Sequence, residues 1–181
     1  PDALTYQFIV VARPASDSEP APPIDDSAAN ALPAQALFTA ELYLGAAGTF
    51  DETRKLTTAG IIGDDVQSLA FQLPDVAPDG LKFDPADRPG FLHLHALALH
   101  DANGVLLWHW SAAEHAALLG ARQDGILAQP PAWPGAPLAL LLYGTDPWIE
   151  LPIPKAVLAQ AGAGRLQATV GWPMSADYLA L

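Results

Sequence analysis

The sequence contains no cysteine and few basic residues. Without cysteine the chain can form neither a disulfide nor a thiolate metal site, which suits a reducing compartment, so we expect a cytoplasmic location. Eight Lys and Arg stand against twenty Asp and Glu, and the formal net charge is −12 at pH 7. Such a charge repels nucleic-acid phosphates and anionic membrane surfaces. Nucleic acid is therefore not an expected partner.

Long apolar runs and catalytic motifs are also missing. No stretch approaches the roughly twenty apolar residues of a membrane span, so membrane insertion is not expected. The chain begins with neither Met nor a secretory signal, and we expect a processed chain or a module of a longer protein. No serine lies in a Gly-x-Ser-x-Gly elbow, and no carboxylate pair suits a glycosidase. We therefore expect a non-catalytic chain without a cofactor.

Proline and glycine are abundant, with 18 and 14 residues spread over the 181 of the chain. Together with few Lys and Glu for surface helices, this favours short strands joined by many turns. The length suits one domain with a core of its own. We expect a single all-β domain over residues 1–181, a two-sheet antiparallel β-sandwich of jelly-roll type with one or two short helices.

Alternating apolar residues and turn signals predict the elements. The segment 15–36 has almost no large apolar side chain, so we expect a long, mobile loop there. Short helices are expected at 112–119, where Ser111 and Glu114 form a capping box, and at 154–161. The expected strands are 4–12, 37–44, 51–58, 66–73, a lead-in from Leu81, 91–100, 105–110, 138–143, 148–151 and 165–171.

The clearest supersecondary signal is a β-hairpin within residues 81–111. Its arms are Phe91–His100 and Val105–Trp110, and Asn103-Gly104 between them readily takes positive φ angles. If the loop is even in length, odd residues of the first arm share a face with even residues of the second, whereas a three-residue loop breaks this grouping. One face then carries His93, His95, Leu97, Leu99, Leu106, Trp108 and Trp110, and the other carries Leu92, Leu94, Ala96, Ala98, Val105, Leu107 and His109.

The face with the histidines and tryptophans has two interpretations. The opposite face is smaller and smoother, which suits a core between two sheets. The first face is then free to line a groove, where sugar rings stack on Trp108 and Trp110 while His93 and His95 donate hydrogen bonds. Alternatively, both tryptophans belong to the core, as large aromatic side chains usually do.

Two further tryptophans lie in or beside proline-rich segments. Trp133 is within 129–137, and Trp148 follows a Gly-Thr-Asp-Pro turn. Such segments often present aromatic side chains for recognition, and the same side chains can instead pin a loop to the sandwich. Both tryptophans are therefore candidates for sugar binding, alongside the four hairpin residues.

Patterns of metal ligands are weak. His93 and His95 have the i, i+2 spacing of ligands on one strand, but parity brings no third histidine to them. Asp84 and Asp87 are weak candidates for calcium, which needs six to eight oxygen ligands. The simpler interpretation is turn chemistry, in which an Asp before Pro hydrogen-bonds its own backbone. We expect no metal site.

Several motifs occur in a characteristic order: ELYLGAAGTFDE at 41–52, LAFQLP at 69–74, LKFDPADRPG at 81–90, LHALALHDANGVLLW at 94–108, GTDPWIELP at 144–152 and WPMSADYL at 172–179. This order resembles the β-sandwich accessory modules of large bacterial surface-polysaccharide enzymes with glycosyltransferase and methyltransferase domains, over roughly three quarters of the chain. One departure is Lys82, where an arginine is expected. Lysine keeps the charge but loses the fork that grips a carboxylate.

The resemblance implies a jelly-roll-like accessory domain of a bacterial glycan-assembly enzyme, with a glycosyltransferase as the parent protein. Such a domain resembles a carbohydrate-binding module, whose partner is a glycan or polysaccharide intermediate. The alternative is a structural or protein-interaction domain that orients the neighbouring catalytic domains of the same chain without binding sugar.

Overall fold

The computed structural model describes residues 36–173. The predicted strand at 4–12, residues 15–35 of the predicted loop and residues 174–179 of the last motif lie outside the described residues. The prediction of one domain over residues 1–181 therefore stays a prediction.

The described residues form two antiparallel β-sheets. The first is built from β1 (Leu37–Leu44), β2 (Lys55–Ile61), β4 (Leu81–Asp84), β7 (Gln123–Asp124) and β10 (Trp148–Glu150), in the order β2-β1-β4-β10-β7. The second is built from β3 (Gln67–Gln72), β5 (Gly90–His100), β6 (Leu106–Ser111), β8 (Ile126–Gln129), β9 (Leu138–Leu142) and β11 (Arg165–Gly171), in the order β3-β11-β5-β9-β8 with β6 beside β5.

Helical structure is short in this part of the chain. A 3₁₀ turn, Ala112–Glu114, leads into α1 (His115–Leu119), and α2 is Lys155–Leu158. The N–H of Ser111 donates to the Glu114 carboxylate at 3.3 Å, and the Ser111 side chain faces the backbone N–H of Glu114, so the predicted capping box is confirmed. Among residues 36–173, no helix is long and apolar enough to cross a membrane.

The two sheets pack face to face over one hydrophobic core. Phe71 of β3 meets Phe83 of β4 across the sandwich, with ring centroids 6.0 Å apart. The predicted alternation is confirmed in β1 and β11, whose inward residues are buried: Phe38, Ala40, Leu42 and Leu44, and Leu166, Ala168 and Val170. The two-sheet antiparallel sandwich is thus confirmed, and its jelly-roll winding stays a prediction.

The hairpin between β5 and β6 turns through three loop residues and not two. The N–H of Gly104 donates to the carbonyl of Asp101 at 3.0 Å, and the N–H of Asp101 donates to the carbonyl of Val105 at 2.9 Å. The φ angle is positive at Gly104, 81°, but not at Asn103. This is a turn followed by a glycine in the bulge position, and the predicted positive φ at Asn103 is wrong.

Gly104→Ala is expected to lower the free energy of unfolding by about 1 kcal/mol, because the left-handed conformation is sterically unfavourable for a residue with a Cβ. No atom lies within 4 Å of the added Cβ, so the backbone alone sets the cost. Urea unfolding measures it. Gly120→Ala is the control, because Gly120 has a φ of −81°. Equal losses in the two variants would contradict the assignment.

A bulge in β5 overturns the predicted grouping of the hairpin residues. Opposite β11, Ala96 pairs with Thr169 but Leu94 pairs with Val170, so His95 is an extra residue. Side chains therefore change phase at His95. The prediction that His93 and His95 share a face with the later leucines is wrong. The inward residues of β5 are Leu92, Leu94, Leu97 and Leu99, all at 0% exposure.

Trp108 and Trp110 do share a face with Leu97 and Leu99, as predicted, because Trp108 pairs with Leu99 and Trp110 with Leu97. A second bulge, at Leu107, restores the even offset that the three-residue loop removes. The shared face is core and not groove: Trp110 is 2% exposed, and Trp108 is partly buried against the core. The prediction that the smaller residues form the inter-sheet core is therefore wrong for the second half of the hairpin. Trp110 has no ring face open to a ligand.

Candidate functional site

A groove of about 380 Å³ lies on the outer face of the second sheet, at the first half of β5. Its floor is a cross-strand row in which Ala139 of β9 pairs with Gln129 of β8 on one side and with His93 of β5 on the other. These residues point outward because their neighbours Leu138 and Leu140 are buried in the core.

The proline-rich segment 129–137 forms one wall of the groove. The N–H of Ala136 donates to the carbonyl of Trp133 at 3.1 Å, and Gly135 has a φ of 86°. With Pro134 in the second position, this is the chemistry of a type II turn. Ala136 is buried and anchors the turn, whereas Trp133 is 66% exposed. The turn therefore holds the indole at the rim of the groove and does not use it to plug the loop.

The opposite wall consists of Asp65, Val66 and Pro173. This wall is tied to the sheet, because the N–H of Trp172 donates to the carbonyl of Asp64 at 2.7 Å. A Cβ on Gly171 would collide with the carbonyl oxygen of Asp65, so the close approach of this segment to β11 requires glycine.

Two imidazoles lie between the walls. The rings of His93 and His95 meet edge to face, with centroids 6.4 Å apart. Burial lowers the pKa of His93, and the neighbouring His95 lowers it further, while Asp65 opposes the change. His93 is therefore neutral at pH 7, with one ring nitrogen as a donor and the other as an acceptor. Nε2 of His95 is buried, and no described residue hydrogen-bonds to it.

Three of the six sugar-binding candidates thus converge, His93, His95 and Trp133. Trp148 lies on the outer face of the other sheet, where its ring centroid is 5.6 Å from Nζ of Lys82 and 5.9 Å from Cζ of Arg122. Trp108 and Trp110 are directed toward the core. The predicted candidate set therefore divides among three places in the fold.

The two calcium candidates are engaged by protein groups. Oδ2 of Asp84 lies 3.3 Å from Nζ of Lys82, and no described residue hydrogen-bonds to Oδ1, so the predicted backbone bond of Asp84 is not made. Asp87 accepts the N–H of Thr39 at 3.0 Å and pairs with Arg88 at 3.0 Å. Within residues 36–173, no group of three or more His, Cys, Asp or Glu is arranged to hold a metal ion.

Sequence reasoning did not place Asp65, Val66 or Gln129 at this site. They reach the groove through the pairing of β3 and β8 with strands distant in sequence, which no local pattern reveals. The usable signal was the proline-rich segment directly before β9: if β9 pairs with β5, that segment must end beside His93.

Comparison with protein-family models, with characterised proteins and with solved structures finds no match for this chain. The chemistry of the groove follows from its own residues. One exposed indole, two imidazoles and one carboxylate can stack on and hydrogen-bond a ring that carries hydroxyl groups.

Proposed function

We propose that this chain is a non-catalytic carbohydrate-binding module of a bacterial glycan-assembly enzyme. The observation that carries the proposal is the exposed indole of Trp133 at the rim of a groove floored by His93 and bounded by His95. The order of the motifs supports a glycosyltransferase as the parent protein. The absence of cysteine supports a cytoplasmic location. The strand pattern of the sequence supports the jelly-roll winding.

The groove suits a neutral sugar. Its volume, about 380 Å³, lies in the range of small-molecule pockets, about 300–1,000 Å³. An indole stacks on the C–H face of a pyranose ring, and neutral His93 can both donate to and accept from hydroxyl groups. The amide of Gln129 on the floor offers the same pair of functions. Neither Lys nor Arg lines the groove, so nothing there favours an anionic sugar.

Trp133→Ala is expected to weaken glycan binding at least tenfold, about 1.4 kcal/mol, without changing the unfolding midpoint. An array of bacterial surface glycans identifies the ligand, and titration calorimetry with that glycan gives the affinity. Trp148→Ala is the matched control, because it removes an indole from the opposite sheet. Failure of every glycan to bind, or equal affinities of Trp133→Ala and the unaltered chain, would overturn the proposal.

A specific observation also favours the alternative, a structural or protein-interaction domain. Next to the groove floor, Phe91, Leu141 and Leu127 pair in register across three strands on the outer face. Phe91 is 47% and Leu127 53% exposed. An exposed apolar row of this kind is typical of an interface. For this alternative, Leu127→Ser in the parent enzyme is expected to lower its activity, whereas Trp133→Ala leaves the activity unchanged.

A further inference from the structure

A second pocket, of about 330 Å³, lies at the far end of the same sheet face. Arg165 of β11 pairs with Gln72 of β3 on one side and with His100 of β5 on the other. Directly opposed residues place their Cβ atoms about 4.5–5.5 Å apart, so the three side chains lie side by side. From His93 to His100 the strand runs about 24 Å, which separates this pocket from the groove.

Both walls of the pocket are held by hydrogen bonds. On one side, Nε2 of Gln72 donates to the carbonyls of Ala163 and Gly164, each at 2.9 Å. On the other side, Oδ1 of Asp101 accepts the N–H groups of Asn103 and Val105, each at 2.8 Å, within the hairpin turn. One carboxylate oxygen of Asp101 therefore already accepts hydrogen bonds within the hairpin turn.

The basic group of the pocket forms no ion pair within residues 36–173. Among the seven Lys and Arg of residues 36–173, four form ion pairs: Lys55, Lys82, Arg88 and Arg122. Arg165 forms none with a described residue, although Asp101 lines the same pocket. Its guanidinium therefore keeps its planar fork of N–H donors available.

One ring nitrogen of the pocket's histidine also has no partner in the described part of the chain. Nδ1 of His100 is buried, and no described residue hydrogen-bonds to it. Leaving a buried polar atom unpaired lowers the stability of the fold. The imidazole of His100 lines the pocket, so a ring N–H can donate to a ligand there.

We propose that this pocket binds an oxyanion, a carboxylate or phosphate group, through the guanidinium of Arg165 and a ring N–H of His100. The arginine fork matches two oxygens of either group, which a lysine ammonium does not. The net charge of −12 repels anions at long range, so the affinity is expected to be millimolar. The site is independent of the glycan groove.

Amide NMR of the whole chain at constant ionic strength tests the site, with sodium phosphate and sodium glucuronate titrated separately against sodium chloride. Saturable shifts are expected at the amides of Gly104, Gly164 and Arg165. Saturation by both probes identifies a general oxyanion site, by glucuronate alone a carboxylate site, and by phosphate alone a phosphate site. Shifts that grow linearly with both probes would overturn the proposal.

Arg165→Gln is expected to weaken the saturable binding at least fivefold. The side chain of Arg165 is exposed, so the variant is expected to fold, and its urea unfolding midpoint checks this. Arg54→Gln removes another arginine without an ion pair in the described part of the chain and is the matched control. Equal weakening in the two variants would show a general charge effect and overturn the site. Trp133→Ala is expected to titrate like the unaltered chain, so a failed glycan experiment leaves this result standing.

Discussion

Trp172→Ala is expected to lower the free energy of unfolding by about 3–5 kcal/mol, the cost of removing a large aromatic side chain from a packed core. Trp172 follows β11 and is 0% exposed. Its ring centroid lies 5.0 Å from that of Phe38 in β1, so the indole joins the two sheets. Gly63 donates its N–H to the carbonyl of Trp172 at 2.9 Å, which fixes the backbone and limits collapse into the cavity.

Trp172→Phe is expected to cost much less than Trp172→Ala. The phenyl ring keeps the contact with Phe38, and the change removes the indole N–H, to which no described residue offers an acceptor. Urea unfolding of both variants measures the difference. Trp133→Ala, the same truncation at an exposed site, is the control, with an expected change within about 0.5 kcal/mol. A loss in Trp172→Ala no larger than in this control would contradict the bridging role.

The strands that could be predicted from the sequence are those whose alternation is strong. The predicted ranges 37–44 and 165–171 are the observed bounds of β1 and β11, because each strand packs one face on the core and period two follows directly. The pair β7 and β8 was missed. These strands contain two and four residues without clear alternation, and their pairing with β10 and β9 decides their conformation.

The bulge in β5 did leave a signal in the sequence. The large apolar residues occupy even positions at Leu92 and Leu94, and then odd positions at Leu97 and Leu99. A regular strand cannot bury both pairs on one face, and a bulge between them can. The candidate site, by contrast, requires the turn at Trp133 to fold over His93. That contact depends on the pairing of β9 with β5, which lies outside any local pattern.

Asp84 is expected to make stability depend on pH. The side chain is 3% exposed, and burial raises its pKa to about 7. Lys82 opposes this rise, whereas the nearby carboxylates of Asp146 and Glu41 add to it. An unfolded aspartate has a pKa of about 4. Between these values the folded state binds a proton that the unfolded state does not. Stability therefore falls as pH rises from about 4 to 7, by up to about 1.4 kcal/mol per pH unit, and then levels off.

Asp84→Asn is expected to remove this slope and to raise the free energy of unfolding at pH 8 by about 1–3 kcal/mol, because an amide of similar shape carries no charge to bury. Lys82 keeps its position over the ring of Tyr43, 3.8 Å from the centroid. Urea unfolding from pH 4.5 to 8 measures both effects, and Asp124→Asn, at an exposed site on the same sheet, is the control. A less stable Asp84→Asn at pH 8 would mean that the ion pair with Lys82 outweighs the burial of the carboxylate. A slope that remains in the variant would mean that another group causes the pH dependence.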